Sequence, residues 1–303
     1  MSLLHRSVFA VIAVAPLMPT GTSGQGAPGF DIFLLSIRER NGVLEFGKAA
    51  NITDRDGYDN QPSFTPDGRG ILYTSNREAQ TDIYRYYVRT GATRQVTKTN
   101  PESEYSAAVV PSGDAFSVVR VESDSTQRLW QFGMDGGSQR VILTQVKPVG
   151  YYAWGDDHTL GLFMLPDSTT PLSTLRLADT RSGRATIIAY NVGRSVHKIP
   201  NQNAISFTHR VPKLWIKQVD LDTGAVRPMI QLLEGNEFYA WLPDGTALTA
   251  QGSKLFRWNP TSDAGWEETA DLAHAGIDGI SRLATSPEGD WLAVVGLRST
   301  GGR

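Results

Sequence analysis

Turn residues recur along this chain with a period that few folds can use. Asp67-Gly68, Ser112-Gly113, Asp156-Asp157, Asn201-Gln202-Asn203, Asp244-Gly245 and Glu288-Gly289 follow one another at intervals of 42 to 46 residues. Such residues suit tight hairpins, because they accept positive φ or bond back to their own main chain. Later in each interval stands an aliphatic residue followed, in four of five cases, by an aromatic one: Ile83-Tyr84, Leu129-Trp130, Leu175-Arg176, Leu214-Trp215 and Leu255-Phe256. After a further polar turn come Gln95-Val96-Thr97, Arg140 to Leu143, Thr186 to Ile188 and Pro228 to Ile230. Each unit therefore reads as four short antiparallel strands, and a period of this length filled with such strands is the signature of a β-propeller blade.

The chain ends set the expected blade count. After Gly289 only Trp291 to Gly296 remain, enough for a second strand but not for a third or fourth. The missing pair is found at the other end, where Asp31 to Leu35 matches Asp82-Ile83-Tyr84 and Leu44 to Thr53 supplies a fourth strand. Five complete blades and one shared blade predict an all-β, six-bladed β-propeller of four-stranded antiparallel blades. The N-terminal outer strands would pair with the C-terminal inner strands, leaving no long free edge at the seam. The one segment with helical character, Trp266 to His274, is expected by its place in the repeat to be a fourth strand. Trp130, Trp154, Trp215, Trp241 and Trp291 are expected at equivalent strand positions, filling space between blades.

The first residues read as an address. His5 and Arg6 precede an apolar run, Ser7 to Met18, broken by Pro16, and small residues follow to Gly29. This is the layout of a cleaved secretory signal peptide, with cleavage expected between Ala15 and Ala27 and a periplasmic or secreted product. The run is too short to span a bilayer. The expected division is a leader over 1–29, a propeller over 30–297 and a disordered tail over 298–303. The chain has 303 residues and 40% apolar content, enough for one large core. A net charge of −2 gives no broad basic surface for nucleic acid. The absence of cysteine excludes a lipidated cysteine, disulfides and thiolate chemistry.

The run Gln61-Pro62-Ser63-Phe64-Thr65-Pro66-Asp67-Gly68, then Ile71 to Arg77, then Asp82-Ile83-Tyr84, resembles the WD-like propeller repeat of the TolB family. Trp241 to Gly245 and Ser286 to Gly289 are weaker copies. The resemblance covers about residues 30 to 297. It implies an exported propeller that docks partner proteins of the cell envelope. That family also carries an α/β domain ahead of its propeller, whereas only about 30 residues precede the first strand here. The chain is therefore read as a relative of the repeat family, a propeller alone.

Function is expected where the segments leading into each first strand gather. These bring Tyr58 and Asp59, Glu104 and Tyr105, Tyr151, His197, Glu237 and Phe238, and Asp278. Acids interleaved with aromatics suit a cationic peptide segment, a cation such as calcium, or a sugar ring. The five histidines show no paired metal-binding spacing, and His197 alone lies in one of these segments, so no metal site is expected. Gly-x-Ser-x-Gly and Walker motifs are absent, no dinucleotide fingerprint follows a strand, and no catalytic residue or cofactor is assigned. The leading expectation is a monomeric, non-catalytic module docking an envelope or extracellular protein. The alternative is a propeller that binds or cleaves carbohydrate with acids such as Asp59, Glu104 and Glu237.

Overall fold

The computed structural model describes residues 29–262 and 264–298. The expected leader over 1–29, apart from Gly29, its cleavage site, and the expected tail over 298–303, apart from Arg298, which ends the strand Trp291–Arg298, lie outside the described residues. Everything described is strand and turn, apart from a single 3₁₀ turn at Ala273–Ala275. The Trp266 to His274 segment forms the strand Glu267–Asp271 followed by that turn.

Four sheets are antiparallel and four-stranded. They begin with Ser103–Val109, Val149–Trp154, Val192–Lys198 and Tyr239–Trp241, and each continues through three further strands in chain order. The hairpin glycines take the conformation the turns demand, with Gly68 at φ 66°, Gly245 at 89° and Gly289 at 73°.

The remaining strands form one nine-stranded sheet rather than the two separate four-stranded units expected. Its first part is Tyr58–Phe64, Gly70–Arg77, Gln80–Tyr87 and Thr93–Gln95. Its second part centres on Phe30–Arg40, which pairs with Trp291–Arg298 from Phe30 opposite Leu297 to Ser36 opposite Trp291. Ile277–Thr285 pairs with Trp291–Arg298 on the other side. A single parallel pair, Phe30 with Tyr58, joins the two parts. Backbone can come this close because both approaching residues are glycines: a Cβ on Gly29 would lie 2.9 Å from the Gly57 carbonyl oxygen. The expected fourth strand over 44–53 is split in two, Val43–Phe46 and Ala50–Asn51, both paired with Phe30–Arg40.

A repeated side-chain lattice marks the N-terminal strand as equivalent to Gln80–Tyr87. Thr97 Oγ1 accepts from the Ile83 N–H at 2.8 Å, and Asp82 accepts from Gln95 Nε2 at 3.0 Å and from Thr97 Oγ1 at 3.4 Å. In the same way Thr53 Oγ1 accepts from the Ile32 N–H at 3.0 Å, and Asp31 accepts from Asn51 Nδ2 at 2.8 Å and from Thr53 Oγ1 at 3.2 Å. One short acid thus ties the start of a third strand to its fourth strand in both places.

Second strands are buried on both faces, which is why Gly70–Ser75 and Ala115–Arg120 read as unbroken buried runs. Alternate side chains enter different apolar clusters. Ile71 and Tyr73 meet Ile32, Leu34 and Val295, whereas Leu72 meets Ala107, Phe116 and Phe132. Further clusters join Val119 and Leu129 to Leu160 and Leu162, Phe163 and Leu175 to Ile205 and Phe207, Ile199 and Ile216 to Tyr239 and Trp241, and Leu248 and Leu255 to Leu35, Leu292 and Val294. Each cluster lies between consecutive sets of strands. The first strands touch one another in turn, and Ile277–Thr285 touches Tyr58–Phe64.

Polar clamps cross two of these apolar contacts. Tyr239 Oη and Trp241 Nε1 both donate to Ser206 Oγ at 2.8 Å. Tyr152 Oη and Trp154 Nε1 both donate to Ser117 Oγ at 2.9 Å. The tryptophans therefore do not occupy one repeated position as expected. Trp154 and Trp241 stand in first strands with their indole N–H committed to the neighbouring sheet, Trp130 and Trp215 in third strands, and Trp291 in a second strand. An indole N–H at a buried contact needs an acceptor, so placement follows the available hydroxyl as well as ring size.

Candidate functional site

Five of the six first strands carry a break in register, between Asn60 and Ser63, Tyr105 and Ala108, Val149 and Tyr151, Val192 and Val196, and Asp278 and Arg282. An irregularity of this kind re-aims the side chains beside it. Two of the breaks hold non-glycine residues at positive φ, Gln61 at 57° and Ser106 at 55°. Gln61 Oε1 satisfies this strained stretch, accepting from Thr74 Oγ1 at 2.8 Å and from the Ser106 N–H at 2.7 Å.

The structure brings five of the nine sequence-derived site residues into one group and places the other four elsewhere. Tyr58, Tyr105, Tyr151, Glu237 and Phe238 gather with two arginines that sequence reasoning missed, Arg194 and Arg282. Arg282 Nη2 donates to Tyr151 Oη at 2.9 Å, and its guanidinium lies 4.9 Å from the Tyr151 ring centre and 3.9 Å from that of Phe238. Arg194 covers the same Phe238 ring at 5.2 Å and pairs with Glu237, which also pairs with Arg210. Gly193 makes room for this, since a Cβ there would meet Thr208 Oγ1 at 2.2 Å and Glu237 Oε2 at 2.8 Å. Tyr58 interacts electrostatically with Arg282, Tyr151, Tyr105 and Arg194, while burial holds its phenol well above the usual range. A depression of about 550 Å³ opens beside the group, lined among others by Arg194, Arg210, Glu237, Phe238 and Ser281.

Asp59 and Glu104 belong to a different environment. Both are fully buried, and both lie within first strands rather than in the segments leading to them. Asp59 pairs with Arg55 at 2.9 Å. Glu104 accepts from Thr99 Oγ1 at 2.6 Å and faces Arg120 Nε at 3.3 Å. Desolvation pushes the Glu104 carboxyl up to about 7 against the opposing pull of Thr99 and Arg120. Asp278 is exposed and bonds to the neighbouring Gly279 N–H at 2.7 Å. The expected acidic rim is therefore replaced by buried acids and a group in which guanidinium and phenol prevail.

The raised Glu104 value has a measurable consequence. Between its unfolded value near 4.5 and its folded value near 7, the folded chain binds the extra proton, so stability falls as pH rises through this window. Glu104→Gln is expected to flatten that slope, removing up to ~3 kcal/mol of pH dependence between pH 4.5 and 7. Thermal unfolding of both proteins across this range checks it, and identical slopes would count against the assignment.

His197 forms a dyad that spacing alone did not single out. Its Nε2 lies 2.8 Å from Ser195 Oγ, and its ring meets Tyr239 edge-on at 4.8 Å. Burial, and then the positive charge of Arg282, hold its pKa down to about 4, so the ring is neutral near pH 7. Ser195 is 2% exposed, which denies a substrate carbonyl access to its hydroxyl. Among the described residues no three histidine or acidic side chains cluster as metal ligands.

No family model and no curated protein sequence matches the chain. Solved structures resemble it in fold. A protein assigned as TolB from Agrobacterium tumefaciens superposes with a TM-score of 0.68 at 18% identity, over 90% of this chain and 99% of that one. TolB from Acinetobacter baumannii gives 0.57 at 13% identity, over 92% of this chain and 66% of that one. An oligogalacturonate lyase from Vibrio parahaemolyticus gives 0.53 at 18% identity, over 86% and 77%. At such identities the likeness is one of architecture. The chain has a TolB-like propeller fold.

Proposed function

We propose that the protein is a closed six-bladed propeller, exported through a cleaved leader, that docks a partner protein at its channel mouth. Closure is supported by the apolar clusters between consecutive strand sets and by the pairing of Phe30–Arg40 with Trp291–Arg298. The docking reading rests on one observation. Six first-strand segments each contribute a large side chain around one site: Tyr58, Tyr105, Tyr151, Arg194, Phe238 and Arg282.

Exposed apolar residues extend the site. Leu172, Tyr190 and Val211 are 49%, 53% and 49% exposed. They are brought together around Asn191, whose N–H donates to the Ser173 carbonyl at 2.7 Å and whose Nδ2 donates to the Arg210 carbonyl at 2.7 Å. Arg210 in turn pairs with Glu237. Apolar side chains at a polar rim mark a surface that another protein covers.

A carbohydrate-cleaving alternative needs two carboxylates facing one cleft. Here Asp59 and Glu104 are committed to Arg55, Arg120 and Thr99 inside the fold. The docking reading is tested by affinity capture from envelope extract with the native protein and a Leu172→Asp, Val211→Asp double variant. A protein retained by the first and lost by the second is the expected result, and equal recovery by both would defeat the reading. N-terminal sequencing of the mature chain is expected to place cleavage between Ala15 and Ala27.

A further inference from the structure

The arginines around the site differ in how their charge is met. Arg194 and Arg210 share Glu237, Arg55 has Asp59, and Arg120 has Glu102 and Glu104. Arg282 meets no carboxylate within 4.0 Å among the described residues; its contacts are the Tyr151 hydroxyl and the rings of Tyr151 and Phe238. A guanidinium has five N–H donors, and one is used here. Arg282 is half-buried, so its charge is only partly hydrated, and its influence reaches both Tyr58 and His197. Tyr58 feels the charge of Arg282 and lies within electrostatic range of the Tyr105 phenol.

We infer that the mouth receives an acidic segment of the partner protein, with one carboxylate against Arg282 between the hydroxyls of Tyr58, Tyr105 and Tyr151. Apolar residues flanking that acid rest on Leu172, Tyr190 and Val211. This rests on the docking reading and adds the chemistry of what is docked. A planar guanidinium matches a carboxylate, and a charge-assisted bond in a partly desolvated site is stronger than a neutral one. The sign is opposite to the cationic segment expected from sequence, because three of the four acids that suggested it, Asp59, Glu104 and Glu237, are buried against their own arginines.

A peptide fits better than a sugar. Sugar rings need free aromatic faces, whereas the Phe238 face carries both Arg282 at 3.9 Å and Arg194 at 5.2 Å, and the Tyr151 face carries Arg282 at 4.9 Å. The exposed Leu172 and Val211 side chains offer an aliphatic surface that suits leucine-like residues.

The test uses fluorescence anisotropy with the leader-free protein and three probes. These are a labelled peptide of alternating glutamate and leucine, its glutamine analogue, and hexagalacturonate. The acidic peptide is expected to bind saturably and at least about tenfold more tightly than the glutamine analogue, as loss of one bond to a charged group implies. Arg282→Gln should reduce its affinity by about tenfold or more while keeping a single cooperative thermal transition. The Tyr58→Phe, Tyr105→Phe pair, which removes only two hydroxyls, should weaken it several-fold. Equal binding by native and Arg282→Gln proteins, equal binding of the two peptides, or no saturable binding up to millimolar peptide would each overturn the inference. Arg282-dependent binding of hexagalacturonate without peptide binding would overturn it too, and would move the carboxylate onto a sugar. If Arg282→Gln still captures the native partner from envelope extract while Leu172→Asp, Val211→Asp does not, docking stands and the acidic segment falls.

Discussion

Deleting residues 30–53 is expected to abolish cooperative unfolding. The segment places Ile32, Phe33, Leu34, Leu35, Ile37 and Leu44 in the core, each at most 7% exposed. Burying such side chains contributes ~1.5–3 kcal/mol apiece, so their joint loss is on the order of 10 kcal/mol. That is comparable to the ~5–15 kcal/mol by which a whole domain is stable. The deletion also strips the Phe30–Arg40 partner from Trp291–Arg298, exposing an edge rich in apolar residues that invites aggregation. Urea and thermal melts of the leader-free deletion should show a broad, non-cooperative signal. A sharp transition within about 5 °C of the parent's would refute the closure drawn here, because a domain of this size shifts only ~2–4 °C per kcal/mol.

Ser206→Ala is the second large effect. A single hydroxyl accepts from both Tyr239 Oη and Trp241 Nε1. Tyr239 is 1% and Trp241 6% exposed, so removing the acceptor leaves two buried donors without a partner. Each costs ~1–3 kcal/mol, giving ~2–6 kcal/mol together and, at ~2–4 °C per kcal/mol, a fall in Tm of roughly 4–24 °C. Ser117→Ala is the internal comparison. Its partners are Tyr152, which is buried, and Trp154, which is half-buried and can turn to water, so its fall should be smaller. Calorimetry of the two variants separates them. A change below about 2 °C in Ser206→Ala would mean that water restores both bonds.

Legibility in the sequence varied with the range of the interaction. The match of Asp31-Ile32 to Asp82-Ile83 pointed to equivalent strands, and both acids hold the same lattice with the threonine two residues beyond the fourth strand. That signal is local in chemistry even where it is distant in chain position. The joining of the seam to the neighbouring strand set through Phe30 and Tyr58 was not legible. It depends on two glycines, Gly29 and Gly57, meeting across the fold. The site was legible only in its aromatic half. Tyr58, Tyr105, Tyr151 and Phe238 were identified as lying in segments that lead into first strands, although the first three stand within those strands, whereas Arg194 and Arg282 were passed over. A charged residue next to a register break cannot be assigned to a face by counting alternation.

The sequence by itself determined the repeat, its strand pairs, its turns and the shared unit at the two ends. Each of these follows from short-range rules, in which turn residues and a two-residue side-chain period act within a few positions of the chain. Tertiary structure alone decided which charges are paired inside the molecule and which are left without an acid. Asp59 and Glu104 were drawn into buried pairs with Arg55 and Arg120, while Arg282 was set over Phe238 without an acid. Pairing a charge requires a partner within a few ångströms in space, and residues from six different first-strand segments become neighbours only when the sheets have come together.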